Sequence, residues 1–316
     1  MSRADEFLNL TVSARRTLAQ GIEEFTLVSR DGTPLPGFDT GAHITIRTPS
    51  GAMRRYSLVN DGREPRDYVV AVKLEPESRG GSRSMHDEAR PGMELLAEPP
   101  KNDFPLAEAD RYLLIAGGIG ITPIHAMASR LAADKKEFQL IYCTRCEGDA
   151  AYLPELQRIA GEGLILHHDA GDPDQMYDFW DHFAEPENMK VYCCGPKPLM
   201  EEIKAISGHW PEGRINFEDF KPVETTRPDD QPFEVELARS GRKITVPADR
   251  SILEALRDNG VTTASSCESG TCGTCKTGLI DGEADHRDMV LMEEERDSKI
   301  MICVSRSAGG RLVIDL

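Results

Sequence analysis

The sequence predicts a multidomain fold in which an antiparallel β-barrel, an α/β domain with a parallel sheet and a smaller C-terminal domain follow one another. Its 316 residues exceed one ordinary domain, which typically takes about 100–200 residues. The spacing of apolar residues changes near Arg111, from short strand-like runs to alternating strand-like and helix-like segments. Further along the chain, Pro222, Pro228 and Pro232 lie in an extended polar stretch. We therefore expect domains at 1–105, 106–221 and 233–316, with a linker at 222–232.

Short β-like runs dominate the first third of the chain. They lie at 25–28, 43–47, 56–59 and 68–73, and several of them alternate polar with apolar residues. Such runs, broken by turns, predict a small antiparallel barrel.

From Arg111 onward, strand-like and helix-like segments alternate. Apolar strand patterns lie at 112–116, 138–142 and 191–194, and the clearest helical pattern lies at 124–133. This alternation predicts a parallel sheet covered by helices.

The C-terminal segment begins with two strand-like runs, 233–237 and 243–246, on either side of a Ser-Gly turn. Ser251 and Glu254 then have the spacing of a capping box that opens a helix, and Gly260 is placed to end it. The segment is therefore expected to form a domain with a sheet and a helix of its own.

Composition and charge narrow the class of protein. Hydrophobic residues at 39% and charged residues at 29% are typical of a soluble globular protein. The net charge of -17 argues against nucleic acid and anionic membranes as partners and allows docking onto a basic patch of another protein, although a merely well-solvated acidic surface is the alternative. The start of the chain has no apolar leader, and the most apolar run, 113–121, is too short to cross a bilayer. We expect a cytoplasmic protein.

Four of the eight cysteines have the spacing of iron–sulfur ligands. Cys267, Cys272 and Cys275 follow a C-x4-C-x2-C pattern and Cys303 lies downstream, which matches plant-type [2Fe–2S] ligation. The small residues between them allow backbone N–H groups to approach the sulfurs. A structural zinc site is the alternative, but zinc sites usually pair two C-x2-C knuckles and only one is present here. The pattern therefore predicts four thiolates on two irons.

The remaining thiols and the histidines carry weaker signals. Cys143 and Cys146 could form a redox pair or be ordinary strand-end thiols, and Cys193 has the character of a small buried apolar residue. The eight histidines form no clear metal-binding set.

These features together resemble a known family. Residues 233–316 resemble the plant-type ferredoxin domain, a β-grasp fold, and nearly the whole chain resembles the phthalate dioxygenase reductase family, in which the ferredoxin domain is also C-terminal. The resemblance implies a barrel that binds FMN, an α/β domain that binds NADH and a ferredoxin domain that holds the [2Fe–2S] cluster. It also implies a monomer that feeds electrons to a Rieske-type aromatic-ring oxygenase.

Arg54, Tyr56 and Ser57 fit the R-x-Y-S motif with which ferredoxin-reductase-like barrels hold flavin. A tyrosine face can stack on the isoalloxazine, a serine hydroxyl can hydrogen-bond to N5, and an arginine can bind a phosphate. Taken alone, the four residues of this motif favour an amphipathic strand with a solvated arginine pair.

A second loop supports the flavin interpretation. Its two glycines free the backbone to offer N–H groups to an anion, with a guanidinium and a hydroxyl beside them, in the run Arg79, Gly80, Gly81 and Ser82. By resemblance this loop receives the FMN phosphate. The family also implies that Ala71, Val72 and Lys73 run along the flavin and that Phe220 shields its ring.

A glycine-rich turn containing Gly117, Gly118 and Gly120 follows a buried-looking strand and precedes a helix, whose dipole favours phosphate. We expect Thr122 to be the N-cap and Pro123 the first helical residue. The stretch departs from G-x-G-x-x-G because Pro123 occupies the third glycine position, so the ordinary placement of the pyrophosphate does not follow. It does resemble the G-G-x-G-x-T-P turn of ferredoxin-reductase-like domains, across which NAD lies.

Two further strand ends belong to the predicted nicotinamide site. By resemblance, Cys194 lies near the nicotinamide C4, with Gly195 and Pro196 shaping the turn. Thr144 and Arg145 stand where an NADPH enzyme needs a cationic cluster for the 2′-phosphate. The signs of charge are mixed there, so we expect NADH to be preferred.

The cofactor motifs together predict an NADH-dependent oxidoreductase. NADH gives up two electrons as hydride whereas the cluster accepts one, so flavin is needed between them. We expect hydride transfer to FMN, with Ser57, Cys194 and Phe220 at the reacting centre, followed by single electrons through the cluster to an oxygenase. An FAD-dependent reductase that supplies a monooxygenase or hydroxylase, and a redox-sensing electron carrier, are the alternatives.

Overall fold

The computed structural model describes residues 7–76, 80–211, 213–220, 227, 229–265, 270, 273–288 and 290–316. The chain divides into two compact units, 1–220 and 221–316. The finer predicted boundaries at 105/106 and 232/233 stay predictions. In the described part of the chain, no helix combines the length and the apolar character needed to cross a membrane.

The first unit opens with an antiparallel barrel. Its strands are β1 (Leu8–Ala19), β2 (Ile22–Ser29), β3 (His43–Arg47), β4 (Met53–Ser57), β5 (Tyr68–Lys73) and β6 (Glu94–Ala97), with helix α1 (Gly81–Glu88) before β6. The order is β4-β3-β6-β1-β2-β5, and every neighbouring pair is antiparallel. A bridge between Leu58 and Val70 joins the end of β4 to β5 and closes the sheet on itself. The predicted barrel is confirmed.

The remainder of the first unit is built on a parallel sheet. Its strands are β7 (Arg111–Gly117), β8 (Glu137–Thr144), β9 (Leu164–His168), β10 (Lys190–Cys194) and β11 (Ile215–Glu218), in the order β11-β10-β7-β8-β9. Its helices are α2 (Ile121–Ala133), α3 (Leu153–Ala160), α4 (Trp180–Phe183) and α5 (Lys197–Ile206). From β7 the chain builds β8 and β9 on one side and then β10 and β11 on the other. Open sheets bind ligands where the order reverses in this way, here between the carboxyl ends of β7 and β10.

The barrel and the parallel-sheet half share one apolar core. Barrel residues Ile22, Val59 and Ala71 belong to the same buried cluster as Ile121 and Cys194 of the parallel-sheet half. Because buried apolar area is the main source of stability, this shared core holds the two halves together as one unit.

The second unit has a mixed sheet with one helix. Its elements are β12 (Phe233–Leu237), β13 (Lys243–Val246), α6 (Ile252–Asp258), β14 (Lys276–Asp281), β15 (Ala284–Asp285), β16 (Lys299–Met301), β17 (Arg306–Ser307) and β18 (Arg311–Ile314). The main sheet has the order β13-β12-β18-β14-β16, and β12 and β18 run parallel at its centre, as expected for a β-grasp. The predicted capping box opens α6: Glu254 N donates to Ser251 Oγ at 3.2 Å, and Ser251 N donates to Glu254 Oε2 at 2.8 Å.

The end of the predicted linker packs onto this second unit. The Asp230 carboxylate accepts two hydrogen bonds from the Arg287 guanidinium, at 2.6 and 2.8 Å, and lies 3.3 Å from Arg306 Nε. Arg306 is 1% exposed and also donates to the carbonyls of Pro247 and Gln231. A bidentate contact between a guanidinium and a carboxylate fixes the relative orientation of the two groups. Residues 230 and 231 are therefore held in place on the second unit.

Candidate functional site

The glycine turn between β7 and α2 lies at the reversal point of the parallel sheet. Gly118–Gly120 forms a single 3₁₀ turn, and α2 follows at once, with Gly120 in the N-cap position. The expectation that Thr122 caps the helix and that Pro123 is its first residue is therefore wrong by two residues. Because the 3₁₀ turn runs directly into α2, Thr122 already lies inside the helix, where its hydroxyl donates to the Ile119 carbonyl at 3.1 Å.

Glycine is required in this turn by the close approach of β10. A Cβ on Gly120 would lie 2.1 Å from the Cys194 carbonyl oxygen, and a Cβ on Gly195 would lie 3.0 Å from the Gly117 backbone. A Cβ on Gly117 would lie 2.5 Å from the Pro196 ring. The structure thus brings together the two predicted nicotinamide turns, whose strands pair in register from Tyr112 and Lys190 to Ala116 and Cys194.

Cys194 ends β10 and is completely buried. Burial raises the pKa of its thiol well above the usual value, and the neighbouring Glu218 carboxyl raises it further. The side chain is therefore a neutral thiol near pH 7 and cannot act as a thiolate nucleophile. What it offers a ligand at this turn is a small, polarizable surface.

Glu218, at the end of β11, was not predicted as a site residue. It pairs in register with Cys194, is 7% exposed, and its Oε2 atom has no hydrogen-bond partner among the described residues. Burial raises the pKa of this carboxyl to about 8, with Asp103 and Asp219 raising it and Arg55 lowering it. A carboxylate at the carboxyl end of a short strand was the signal in the sequence that could have found it.

We expect Glu218→Gln to remove a pH dependence of stability. The folded protein holds a proton on Glu218 up to about pH 8, whereas the unfolded chain loses it near pH 4.5. The contribution of Glu218 to the stability of the parent is therefore fully present below pH 4.5 and falls as the pH rises from 4.5 to 8, by at most about 1.4 kcal/mol per pH unit. The melting temperature of Glu218→Gln should match the parent near pH 4.5 and exceed it increasingly up to pH 8. A constant difference across that range would contradict the burial of a neutral carboxyl.

The predicted flavin motif lies on β4, and its hydroxyls lack protein partners. Tyr56 Oη and Ser57 Oγ are both buried without a hydrogen bond in the part of the chain that the structure describes. Burial raises the pKa of Tyr56, so its hydroxyl stays protonated. Buried hydroxyls are nearly always hydrogen-bonded, so two adjacent exceptions are expected where a ligand supplies the bonds. The residues fit a flavin.

The predicted phosphate loop lies next to this motif. Gly80 has a φ of 100°, which favours glycine, and caps the N-terminus of α1, where no side chain caps the free N–H groups. A Cβ on Gly81 would lie 2.8 Å from Arg54 Nε, so the guanidinium packs directly over the helix start. Ser82 is largely buried, and its hydroxyl accepts from Glu75 N at 3.1 Å. Arg79 lies outside the described residues.

The other predicted contacts take different places in the first unit. Ala71 and Val72 are buried on β5 and Lys73 is half-buried, while Phe220 is 39% exposed. Thr144 Oγ1 lies 2.7 Å from His168 Nδ1, at the carboxyl ends of β8 and β9. Arg145 pairs with Asp149 at 2.9 Å, which partly neutralises the cation that a 2′-phosphate would need.

The thiols of Cys143 and Cys146 differ in environment. Burial raises the pKa of Cys143 to about 12, while Cys146 is exposed. Neither is in a disulfide. A thiol with a raised pKa is a poor nucleophile near neutral pH, which favours ordinary strand-end thiols here.

Two of the four predicted cluster ligands lie at one end of a strand pair. Cys275 precedes β14 and Cys303 follows β16, and these strands are antiparallel with Lys276 opposite Met301. Both thiols are buried, at 3% and 2% exposure. Gly270, in the loop between the ligands, has a φ of 70°, and a Cβ there would lie 2.8 Å from Val304. Cys267 and Cys272 lie outside the described residues.

Comparison with known proteins agrees with this arrangement. A family model described as an oxidoreductase NAD-binding domain matches residues 114–205, and one described as a 2Fe-2S iron-sulfur cluster binding domain matches residues 235–308. A phthalate 4,5-dioxygenase oxygenase reductase subunit from Pseudomonas putida is 47% identical over 99% of this chain and 98% of its own length. The chain belongs to the phthalate dioxygenase reductase family. A solved phthalate dioxygenase reductase, whose title describes electron transfer from pyridine nucleotides to [2Fe-2S], is 45% identical with a TM-score of 0.73 over 99% of both chains.

A second kind of relative carries the same module within a longer chain. CYP116B46 from Tepidiphilus thermophilus is 35% identical with a TM-score of 0.80, over 98% of this chain and 42% of that one. Both domain matches fall within the predicted α/β and ferredoxin domains.

Membership of the phthalate dioxygenase reductase family confirms the predicted fold class, enzyme class and cofactors. The chain is an NADH-dependent flavin iron–sulfur reductase that uses FMN and a [2Fe–2S] cluster. Bound FMN accepts two electrons from NADH and releases them singly, as the cluster requires. The roles of individual side chains remain predictions.

Proposed function

We propose that this reductase supplies electrons to a Rieske-type terminal oxygenase that acts on an aromatic compound. The observation that carries the proposal is the match over nearly the full length of both chains to the reductase subunit of a phthalate dioxygenase system. Full coverage means that every module needed to take electrons from NADH and release them through a cluster is present here.

At the flavin, Tyr56 and Ser57 would meet the isoalloxazine with the two hydroxyls that have no partner among the described residues. Arg54 and the start of α1 would hold the phosphate, with Gly80, Gly81, Ser82 and Arg79 forming the loop around it. Ala71, Val72 and Lys73 would line one side, because β5 adjoins β4 where the barrel closes.

At the nicotinamide, the paired turns would receive the dinucleotide. Gly117, Gly118, Gly120, Thr122, Pro123, Gly195 and Pro196 would shape this surface, and Thr144 and Arg145 would bound its far end. Glu218, as a neutral carboxyl beside Cys194, offers both a donor and an acceptor to an amide such as that of nicotinamide. Phe220 would cover the flavin ring until nicotinamide displaces it.

The outlet would be the cluster held by Cys267, Cys272, Cys275 and Cys303. The net charge of -17 suits a partner with a basic docking face, because opposite charges speed association. The reductase would be a monomer in the cytoplasm, where NADH is supplied and where a reducing environment keeps the cluster thiols available.

A haem monooxygenase is a second candidate partner. It is favoured by a match to an intact type IV self-sufficient cytochrome P450 monooxygenase, which is 36% identical over 98% of this chain and 41% of that longer chain. The two candidates differ in the acceptor, not in the chemistry of the reductase.

Reconstitution distinguishes the two partners. The purified holoenzyme is mixed with NADH and either a Rieske-type aromatic dioxygenase or a reductase-free P450 monooxygenase, and substrate oxidation is followed with NADH consumption. We expect product formation coupled to NADH use with the Rieske oxygenase. Coupled turnover with the P450 alone would contradict the proposed partner. The same sample, passed over a calibrated size-exclusion column, tests the monomer.

A further inference from the structure

A buried hydrogen bond joins the barrel to the parallel-sheet half of the first unit. Tyr152 Oη donates to Glu24 Oε2 at 2.8 Å, and the two residues are 3% and 8% exposed. Glu24 lies on β2 of the barrel, whereas Tyr152 directly precedes α3 of the other half. A charge-assisted bond of this kind, shielded from water, is stronger and better defined in geometry than a surface contact.

The carboxylate that accepts this bond is itself held in place. The Arg16 guanidinium donates to Glu24 Oε1 at 2.6 Å and to Oε2 at 3.1 Å. Arg16 also donates to Glu155 on α3 at 3.2 Å, and its guanidinium carbon lies 6.0 Å from the centre of the Tyr152 ring. Glu24 is therefore not free to follow Tyr152 if the two halves shift.

The backbone of Tyr152 is held in an unusual conformation. Its φ of 60° lies in the left-handed region, which a bulky residue rarely adopts. Such conformations persist only where the surrounding structure over-determines them, and they cluster at functional sites. The fold accepts this strain at the residue that makes the buried bond to the barrel.

Tyr152 also stacks on a residue of the helix that begins at the glycine turn. Its ring lies 4.6 Å from the ring of His125 on α2, with an angle of 31° between the planes. Burial lowers the pKa of His125, so its ring is neutral, and the backbone of Val59, two residues beyond Ser57, interacts electrostatically with that ring. The stack thus connects the start of α2 to the end of the flavin motif.

The other side of the junction reaches a second flavin-lining strand. Glu24 pairs in register with Ala71 on β5, the strand predicted to run along the flavin. Tyr152 therefore contacts Glu24 and His125 directly, and these two residues in turn contact both barrel segments on which the flavin site is predicted. Tyr152 itself belongs to the half that carries the nicotinamide turns.

We propose that Tyr152 is a positioning residue for the NADH-to-flavin step, because its contacts with Glu24 and His125 fix the flavin-bearing strands against the nicotinamide turn. Hydride transfer needs the donor and acceptor atoms held at contact distance, and displacements of a fraction of an ångström slow such reactions strongly. The inference rests on the predicted flavin and nicotinamide residues and is independent of the identity of the oxygenase.

The test is Tyr152→Phe, which removes one oxygen atom and keeps the ring. Flavin reduction by NADH is followed by stopped flow in the full-length holoenzyme, with ferricyanide turnover as a steady-state check that does not involve an oxygenase. We expect the limiting rate to fall by about fivefold, the rate equivalent of one lost hydrogen bond. The Kd for NADH, measured in the same experiment, should stay within about twofold because the turns themselves are unchanged.

The matched control is Tyr177→Phe, whose hydroxyl bonds to His182 Nε2 at 2.9 Å within the parallel-sheet half. It should leave the limiting rate unchanged. A second variant, His125→Phe, keeps a ring for stacking and removes the polar interaction with the Val59 backbone, so it should lower the limiting rate in the same way as Tyr152→Phe. Bound flavin and melting temperature are measured for each protein, and rates are expressed per bound flavin.

Three results would overturn the proposal. The first is an unchanged limiting rate in both Tyr152→Phe and His125→Phe. The second is a loss that appears only in the Kd for NADH. The third is lower flavin content or stability while the rate per bound flavin stays at the parent value, since that pattern belongs to a merely structural role.

Discussion

Replacing Cys303 with serine is expected to abolish electron output to one-electron protein acceptors while leaving NADH oxidation by ferricyanide intact. Serine offers an alkoxide, a much poorer ligand for these irons than a thiolate. Cys303 is 2% exposed and lies at the end of the strand pair that also presents Cys275, so no solvent ligand can readily take its place. The flavin and nicotinamide residues lie in the other compact unit and keep their own core.

Cluster loss is measured as iron and acid-labile sulfide per chain, and output as turnover with cytochrome c and with the oxygenase. Mutation of a residue that hydrogen-bonds to a metal ligand typically costs about 10–100-fold in metal affinity or activity. Because Cys303 is itself a ligand, we expect the turnover with these acceptors to fall by more than that. The matched control is Cys146→Ser, an exposed thiol in the first unit that should change neither quantity. Full output to the oxygenase from a Cys303→Ser protein without iron would make the flavin the direct donor and would falsify the assignment of the cluster as outlet.

Replacing Ser57 with alanine is expected to slow flavin reduction by about 100-fold, the usual effect of removing one donor aimed at developing charge. Ser57 Oγ is buried and has no hydrogen-bond partner among the described residues, so its bond is available to the flavin. The proposed contact is to N5, where charge changes during the transfer, so the limiting rate should fall far more than the affinity for NADH.

Stopped-flow reduction of the holoenzyme at several NADH concentrations separates the two quantities. Ser29→Ala is the matched control in the same barrel, because the Ser29 hydroxyl donates to Asp31 at 2.8 Å in a solvent-exposed hydrogen bond. Flavin content must be equal in the two proteins for the comparison to hold. An unchanged limiting rate in Ser57→Ala with a full complement of flavin would remove Ser57 from the reacting centre.

Features that depend on residues close in the chain were predictable. The cysteine spacing indicated the cluster because three ligands lie within a single loop. The capping box at Ser251 and Glu254 was correct because its two bonds join residues three apart. The glycine turn after β7 was also predicted correctly, because a close backbone approach before a helix requires glycines that are neighbours in the sequence.

The placement of Thr122 shows where local reasoning reached its limit. A threonine followed by proline has the pattern of a helix start, yet α2 begins earlier, at Ile121. The close packing of Gly120 against the Cys194 carbonyl sets the path of the turn, and that contact joins residues far apart in sequence. Tertiary contact outweighed local preference.

The sequence alone therefore determined the modules, their order and their cofactors, because each rests on a short motif with its own chemistry. Only the tertiary structure decided how residues from different modules act together. Glu218 became a site residue because β11 lies beside β10, and Tyr152 became a link to the flavin strands because its hydroxyl bonds to Glu24 on β2. Both roles depend on burial and on tertiary pairing, which spans 128 residues for Tyr152 and Glu24, and local sequence patterns do not specify such pairings.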